Sequence, residues 1–136
     1  MNEEKFDGKA ALYSSARPGY PTALFEALRE KEILTSDTTA ADIGSGTGIF
    51  TLSLLPYVKK IFAVEPNEDM RKTADKVFAG KDNVVSVCGS AENTGLSGGS
   101  VSLVTAAQAF HWFDAEAFRQ ECRRVLKPGG QVIVVY

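Results

Sequence analysis

The sequence predicts an α/β fold built on an open, mainly parallel sheet. Two observations carry the prediction. Short β-like apolar runs alternate with amphipathic stretches at helical spacing, the pattern of successive βαβ units. A glycine-rich turn, Gly44-Ser45-Gly46-Thr47-Gly48, stands where the first of those runs gives way to a helix. Right-handed crossovers then put helices on both faces of the sheet, giving three layers. The 136 residues are expected to form one domain, 1–136. A chain of that size buries roughly two thirds of the surface it exposes when unfolded.

Each element has a local reason. The first twenty residues read as irregular and run into the breaker cluster Arg17-Pro18-Gly19-Tyr20-Pro21. Pro21 suits the first turn of a helix, whose apolar stripe is Leu24, Phe25 and Leu28, carried to about Ile33. Thr38–Ile43 is the first strand, the glycine turn follows, and Ile49–Leu55 is a helix ended at Pro56. Lys60–Glu65 is the second strand, with Ile61, Phe62, Ala63 and Val64 a continuous buried run. Asn67 is placed to cap the next helix, and Glu68 and Asp69 suit the positive end of its dipole. Met70, Ala74, Val77 and Phe78 give its inward face and Gly80 its stop. Val84–Val87 is the third strand, residues 89–100 a polar, glycine-rich loop, and Val101–Ala106 the fourth strand. Asp114 caps a helix with apolar positions Phe118, Cys122, Val125 and Leu126, ended by Lys127-Pro128-Gly129-Gly130. Val132–Val135 is the fifth strand. A long apolar strand at a sheet edge is a liability unless covered. We therefore expect a C-terminally incomplete sheet and, for the chain by itself, a homodimer through the fifth-strand edge.

Composition narrows the partners. The formal net charge is -2, with acidic and basic residues interleaved. No basic face points to nucleic acid. No apolar run approaches the ~20 residues of a membrane span. The N-terminus Met1-Asn2-Glu3-Glu4-Lys5 lacks the apolar core of a secretory leader. Cys88 and Cys122 are far apart, with neither CxxC spacing nor a histidine cluster, so both are expected to be buried thiols rather than a disulfide or metal site. These readings make the cytoplasm the default and give no role to metal.

The glycine turn is specific in what it excludes. It lacks the GxxxxGK[ST] of a P-loop, and Ile49 stands where the GxGxxG dinucleotide fingerprint needs its last glycine. Asp42, at the strand end beside the turn, would repel a pyrophosphate and suit a cation. The implied ligand is a nucleoside that carries positive charge and no phosphate. Glu65 ends the second strand, where an acid can accept from both hydroxyls of a ribose. A tight turn without a ligand and a solvated carboxylate are the plain alternatives for these two features.

Five segments in order resemble the class I S-adenosylmethionine-dependent methyltransferases, in particular the small-molecule group related to the ubiquinone-biosynthesis and trans-aconitate enzymes. They are Asp42–Gly48, Glu65-Pro66-Asn67-Glu68-Asp69-Met70, Gly89-Ser90-Ala91-Glu92, Gln108-Ala109-Phe110-His111-Trp112-Phe113 and Leu126-Lys127-Pro128-Gly129-Gly130. The resemblance implies a Rossmann-like three-layer sandwich with a mainly parallel sheet, here lacking the last two strands of the complete fold. It implies S-adenosylmethionine as cofactor, S-adenosylhomocysteine as product, and a small-molecule methyl acceptor. Gly44, Ser45 and Gly46 would lie along the methionine portion, Asp42 would hold its ammonium, and Glu65 would grip the ribose. Pro66 and Met70 would wall the adenine, Ala91 would offer its backbone N–H to it, and Ser90, standing where many relatives carry Asp, would accept from its amino group. Gln108 joins this cofactor-binding set. Tyr13 and Arg17 resemble the N-terminal element of the trans-aconitate-like group, with Arg17 aimed at a carboxylate.

Methyl transfer from a sulfonium is an in-line displacement, so positioning is the main task, supplying up to about ten kcal/mol. His111, the only histidine, is the one side chain whose ordinary pKa suits an acceptor-side base. Packing beside Trp112 is its structural alternative. Trp112 and Phe113 would flank the cofactor or cover the core. Two other function classes compete: a non-catalytic module that binds the cofactor or its product and acts through a partner, and a nicotinamide oxidoreductase, disfavoured by Ile49 and Asp42. Because part of the acceptor pocket would lie in the lacking strands, this chain is expected to bind cofactor more readily than to turn over.

Overall fold

The computed structural model describes residues 20–109 and 112–135. Tyr13, Arg17 and His111 lie outside them. Among the described residues are four helices, α1 (Thr22–Glu30), α2 (Ile49–Leu54), α3 (Glu68–Phe78) and α4 (Ala115–Val125), and five strands, β1 (Thr39–Ile43), β2 (Lys60–Val64), β3 (Val84–Val87), β4 (Val101–Ala107) and β5 (Leu126–Val135), with a loop in place of a helix between β3 and β4. The strands form one parallel sheet in the order β3-β2-β1-β4-β5. The expected α/β class and sandwich are therefore present, with β1 at the centre and β3 and β5 at the edges.

Alternate residues of each strand face opposite layers. Ala41, Ile43, Val64, Val104 and Ala106 pack with Phe118, Cys122 and Val125 of α4 and with Ala91 and Leu96 of the 89–100 loop. Ala40, Ile61 and Leu103 point the other way, onto Phe25 of α1 and Phe50 and Leu54 of α2. Ala63 continues that face onto Ala74 and Phe78 of α3. The core is thus two apolar layers separated by the sheet. Burial of side chains such as Phe25 and Ile61, each at 1% exposure or less, stabilises by about 2 kcal/mol apiece.

Helix ends follow side-chain chemistry. Asn67 Oδ1 accepts from the N–H of Met70 at 2.9 Å, and Asp114 Oδ1 from that of Ala117 at 3.1 Å. Each cap is worth about 1 kcal/mol. Gly80 adopts φ +80° just beyond α3, as a helix stop requires.

Several expectations need correction. Met70 and Val77 are 43% and 38% exposed, so the inward face of α3 is Ala74 and Phe78 alone. Met70 lies in the first turn, beyond the end of the sheet, and lines a cavity there instead. Phe62 is half-buried, so the β2 run is not buried throughout. Pro56 sits within a 3-10 turn, Leu55–Tyr57, that prolongs α2. Cys88 is exposed, because it follows the short edge strand β3; Cys122 is buried as expected, where burial pushes its thiol up to about 11.

The largest difference is at the fifth strand. Leu126 leaves α4 for extended backbone and pairs with Val101; pairing resumes at Gln131 with Leu103. Lys127–Gly130 form an irregularity within β5 rather than a separator before it. Gly129 takes φ +81° there, and a Cβ on Gly130 would stand 3.1 Å from the Ser102 carbonyl oxygen. Two glycines let the strand step sideways against β4 without losing its partner.

Candidate functional site

In an open parallel sheet a ligand crevice forms at the carboxyl ends of two neighbouring strands whose connections run in opposite directions. Here those strands are β1 and β4, since β2 and β3 extend the sheet from one side of β1 while β4 and β5 extend it from the other. The glycine turn follows β1, and Gln108 follows β4. Between them lies a cavity of about 260 Å³, lined by Tyr20, Asp42, residues 44–47, Ile49, Phe50, Met70, Ala107 and Gln108.

The turn is fixed by backbone hydrogen bonds to β2. Gly44 and Ser45 donate to the Val64 carbonyl at 2.8 and 3.1 Å. Gly44 has φ +70°, and a Cβ there would lie 2.7 Å from that of Ala109 and 3.3 Å from the Phe113 ring. Glycine is therefore required twice over, by conformation and by space. Gly46 has φ +59° with nothing within 4 Å of a built Cβ, so its backbone is bare toward open space.

Glu65 holds the other side of the turn. Its Oε1 accepts from the N–H of Gly46 at 2.8 Å and its Oε2 from that of Asn67 at 3.1 Å. Arg71 Nη1 donates to the carbonyls of Glu65 and Pro66 at 2.8 and 2.9 Å, fixing the segment behind it.

Asp42 is 1% exposed and forms the floor. Its Oδ2 accepts from Thr51 Oγ1 at 2.6 Å and its Oδ1 from Thr105 Oγ1 at 2.9 Å. Burial raises its pKa to about 6, against the two hydroxyls, which lower it; the Glu65 charge raises it further. The cavity therefore stands over a carboxylate that is ionised above about pH 6 and is cut off from water on its other sides.

Of the residues singled out from the sequence, Asp42, Gly44, Ser45, Gly46, Met70 and Gln108 meet at this cavity. Glu65 adjoins it through Gly46. Pro66 is exposed, Ser90 half-buried and Ala91 buried, all on the carboxyl side of the sheet but outside the cavity lining. The Ser90 hydroxyl accepts from the N–H of Asn93 at 3.0 Å, so it serves its own loop. Phe113 covers the core, its ring tilted at 51° against that of Phe118 at 5.0 Å, whereas Trp112 is 70% exposed. Sequence reading missed Tyr20 and Phe50, whose rings meet edge-to-face at 4.9 Å and wall the cavity. It also missed Thr51 and Thr105; hydroxyls inside otherwise apolar stretches were the available signal. Gln108 has φ +59°, and its N–H donates to the Val135 carbonyl at 2.8 Å. A non-glycine residue held in the left-handed region at a cavity mouth is the kind of strain that sites retain. Among the described residues no cluster of His, Cys, Asp and Glu suits a metal ion, and no helix is long and apolar enough to cross a membrane.

A family model described as a methyltransferase domain matches residues 41–134. A candidate methyltransferase of Dictyostelium discoideum is 34% identical over 132 residues, 97% of this chain and 48% of the relative. A candidate S-adenosylmethionine-dependent methyltransferase of Saccharomyces cerevisiae is 27% identical over 127 residues, 90% of this chain and 43% of the relative. Among solved structures, a candidate type II methyltransferase from Anaeromyxobacter dehalogenans superposes with a TM-score of 0.73 at 37% identity, covering 87% of this chain and 48% of that one. The chain spans about half the length of the curated relatives it matches.

Proposed function

Since the chain belongs to the class I S-adenosylmethionine-dependent methyltransferases, we propose that its glycine-turn cavity binds S-adenosylmethionine and that the whole protein methylates a small-molecule acceptor. One observation carries the reading: the cavity at the β1–β4 crevice joins bare glycine backbone to a buried carboxylate floor. An accepting carboxylate under a glycine-rich turn fits a cationic, phosphate-free nucleoside. An anionic pyrophosphate over Asp42 would meet an uncompensated like charge. Bound there, the cofactor supplies an activated methyl group on a positively charged sulfur.

The chain's own residues then have distinct tasks. Asp42 attracts the ammonium of the methionine portion. Residues 44–46 let that portion lie against the backbone. A carboxylate has about four lone-pair sites; Glu65 uses two on Gly46 and Asn67, which leaves capacity for two ribose hydroxyls. Tyr20, Phe50 and Met70 exclude water from one side of the cavity. Gln108, Ser90 and Ala91 complete the cofactor contacts; the same proposal gives Tyr13 and Arg17, with Arg17 on a carboxylate, to the cofactor-binding set and His111 to the acceptor side. Pairing of two copies along β5 is part of the same proposal.

Calorimetric titration with S-adenosylhomocysteine, with NAD as control, tests the reading. We expect binding of the first ligand alone and at least a tenfold loss in Glu65→Ala, about 1.4 kcal/mol or more. Equal binding of NAD, or no binding by the folded chain extended to the length of its relatives, would overturn it.

A further inference from the structure

The floor of the cavity contains more than the proposed contacts use. Thr51 and Thr105 are 0% and 1% exposed, and both donate to the same carboxylate. They come from different elements. Thr105 is the register partner of Asp42 on β4, and Thr51 lies in α2, the helix that the glycine turn opens. The Asp42 oxygens are thus held from two directions, one across the sheet and one from the layer above it. The carboxylate lines the cavity; the two threonines lie behind it.

A purely structural site would not be built this way. Valine has nearly the shape of threonine, and an apolar trio would fill the same space without desolvating a charge. Hydroxyls that donate to both oxygens of a buried carboxylate favour its charged form over the neutral acid. We propose that Thr51 and Thr105 are positioning residues that keep the Asp42 carboxylate charged and fixed at the cavity floor. What that charge attracts is taken from the proposed function; the role of the two hydroxyls is a separate claim.

The surroundings of Asp42 define the consequence. From the end of β2 the Glu65 carboxylate raises its pKa. The facing residues of β4 and α2 are Thr105 and Thr51 themselves, and the Tyr20 phenol also lines the cavity. With both hydroxyls present, Asp42 titrates at about 6 and is mostly ionised at neutral pH. With one removed, its midpoint moves upward and the neutral acid gains population at and below neutral pH. A cationic ligand would then lose affinity most on the acid side and regain it in alkali.

The test uses two readouts from about pH 5 to about pH 9: the Asp42 side-chain carboxyl followed by carbon-13 NMR in the free chain, and affinity for S-adenosylhomocysteine. In Thr105→Val we expect the Asp42 midpoint to rise by about one unit from about 6, with a loss of affinity that approaches tenfold near pH 5, is about twofold near pH 7 and vanishes by pH 9. Thr105→Ser should restore both. An unshifted midpoint, with affinity lowered equally at every pH, would mean a packing role and overturn the inference. Should Thr105→Val not fold, Thr51→Val carries the same expectations. A shifted carboxyl midpoint without any ligand binding, by the wild type or by the chain extended to the length of its relatives, would sustain this inference and sink the proposed function, so the two fail separately.

Discussion

At the scale of the residue, Asp42 sets function against stability. Its folded pKa of about 6 lies above the ordinary 3.8, so the folded chain holds that proton more tightly than the unfolded chain. The stabilising contribution is present below the ordinary value and is lost as pH rises through about 6. Asp42→Asn removes the buried charge. We expect its urea midpoint at pH 8 to be no lower than that of the wild type, while S-adenosylhomocysteine affinity falls at least tenfold; a large loss of stability would show that the charge itself holds the fold together. The glycines give a second ranking. Gly44→Ala combines strained φ with a clash against Ala109 and should cost about 3 kcal/mol, whereas Gly46→Ala, with open space around it, should cost about 1 kcal/mol. Urea denaturation of the two variants checks the order. Asp42 and Glu65 were legible in the sequence because a charged residue at each strand end breaks an apolar run. Thr51 and Thr105 were not, because a threonine in a helix or strand is ordinary until its hydroxyl is seen to meet a carboxylate.

At the scale of the element, α4 clamps the 89–100 loop through two side chains, Glu121 and Arg124. Glu121 Oε2 accepts from the N–H and Oγ1 of Thr94 at 2.9 and 2.7 Å, and Arg124 pairs with the same carboxylate while donating to the Leu96 carbonyl at 2.7 Å. Arg124 and Thr94 together hold the Glu121 pKa down at about 2, below the ordinary 4.5, against its burial. The sign here is opposite to that of Asp42: the contribution is full above the ordinary value and is lost as pH falls through about 2. Glu121→Ala strands two donors of Thr94 and should lose about 2 kcal/mol or more. Hydrogen exchange is expected to show faster exchange of the Thr94 and Leu96 amides; unchanged exchange would mean that the loop is held by its apolar contacts alone. The Asn67 and Asp114 caps were legible because capping is a local matter of one side chain and the next turn. The start of β5 was not: Leu126 continues the helical stripe of α4 in sequence, and only the Val101 partner across the sheet pulls it into extended backbone. Met70 and Val77 likewise obey helical spacing, but only Ala74 and Phe78 of α3 are buried against the sheet.

At the scale of the whole molecule, the class, the number of strands and their parallel direction were legible in the alternation of patterns. The order β3-β2-β1-β4-β5 depends on pairings between distant segments, which no local pattern encodes. One edge of that order carries a prediction. Val132 on β5 is 40% exposed and, with Val134, Phe118 and Cys122, lines an apolar groove of about 450 Å³. Gel filtration of the chain by itself should show elution moving earlier with concentration, and Val132→Lys should abolish the shift through the charge it places on the edge. A wild-type monomer at every concentration would remove the homodimer. The order also governs how the chain is made. As it leaves the ribosome, β2 and β3 can join one side of β1 while the other side waits for β4. Thr105 follows Asp42 by 63 residues, which take about 3 to 13 seconds to synthesise at roughly 5–20 residues per second. Through that interval the carboxylate has half its floor and stands in water, where ionisation is free. The ligand crevice thus closes only after the β3-β2-β1 half of the sheet can form, and a nascent chain stalled before β4 carries the glycine turn but no site.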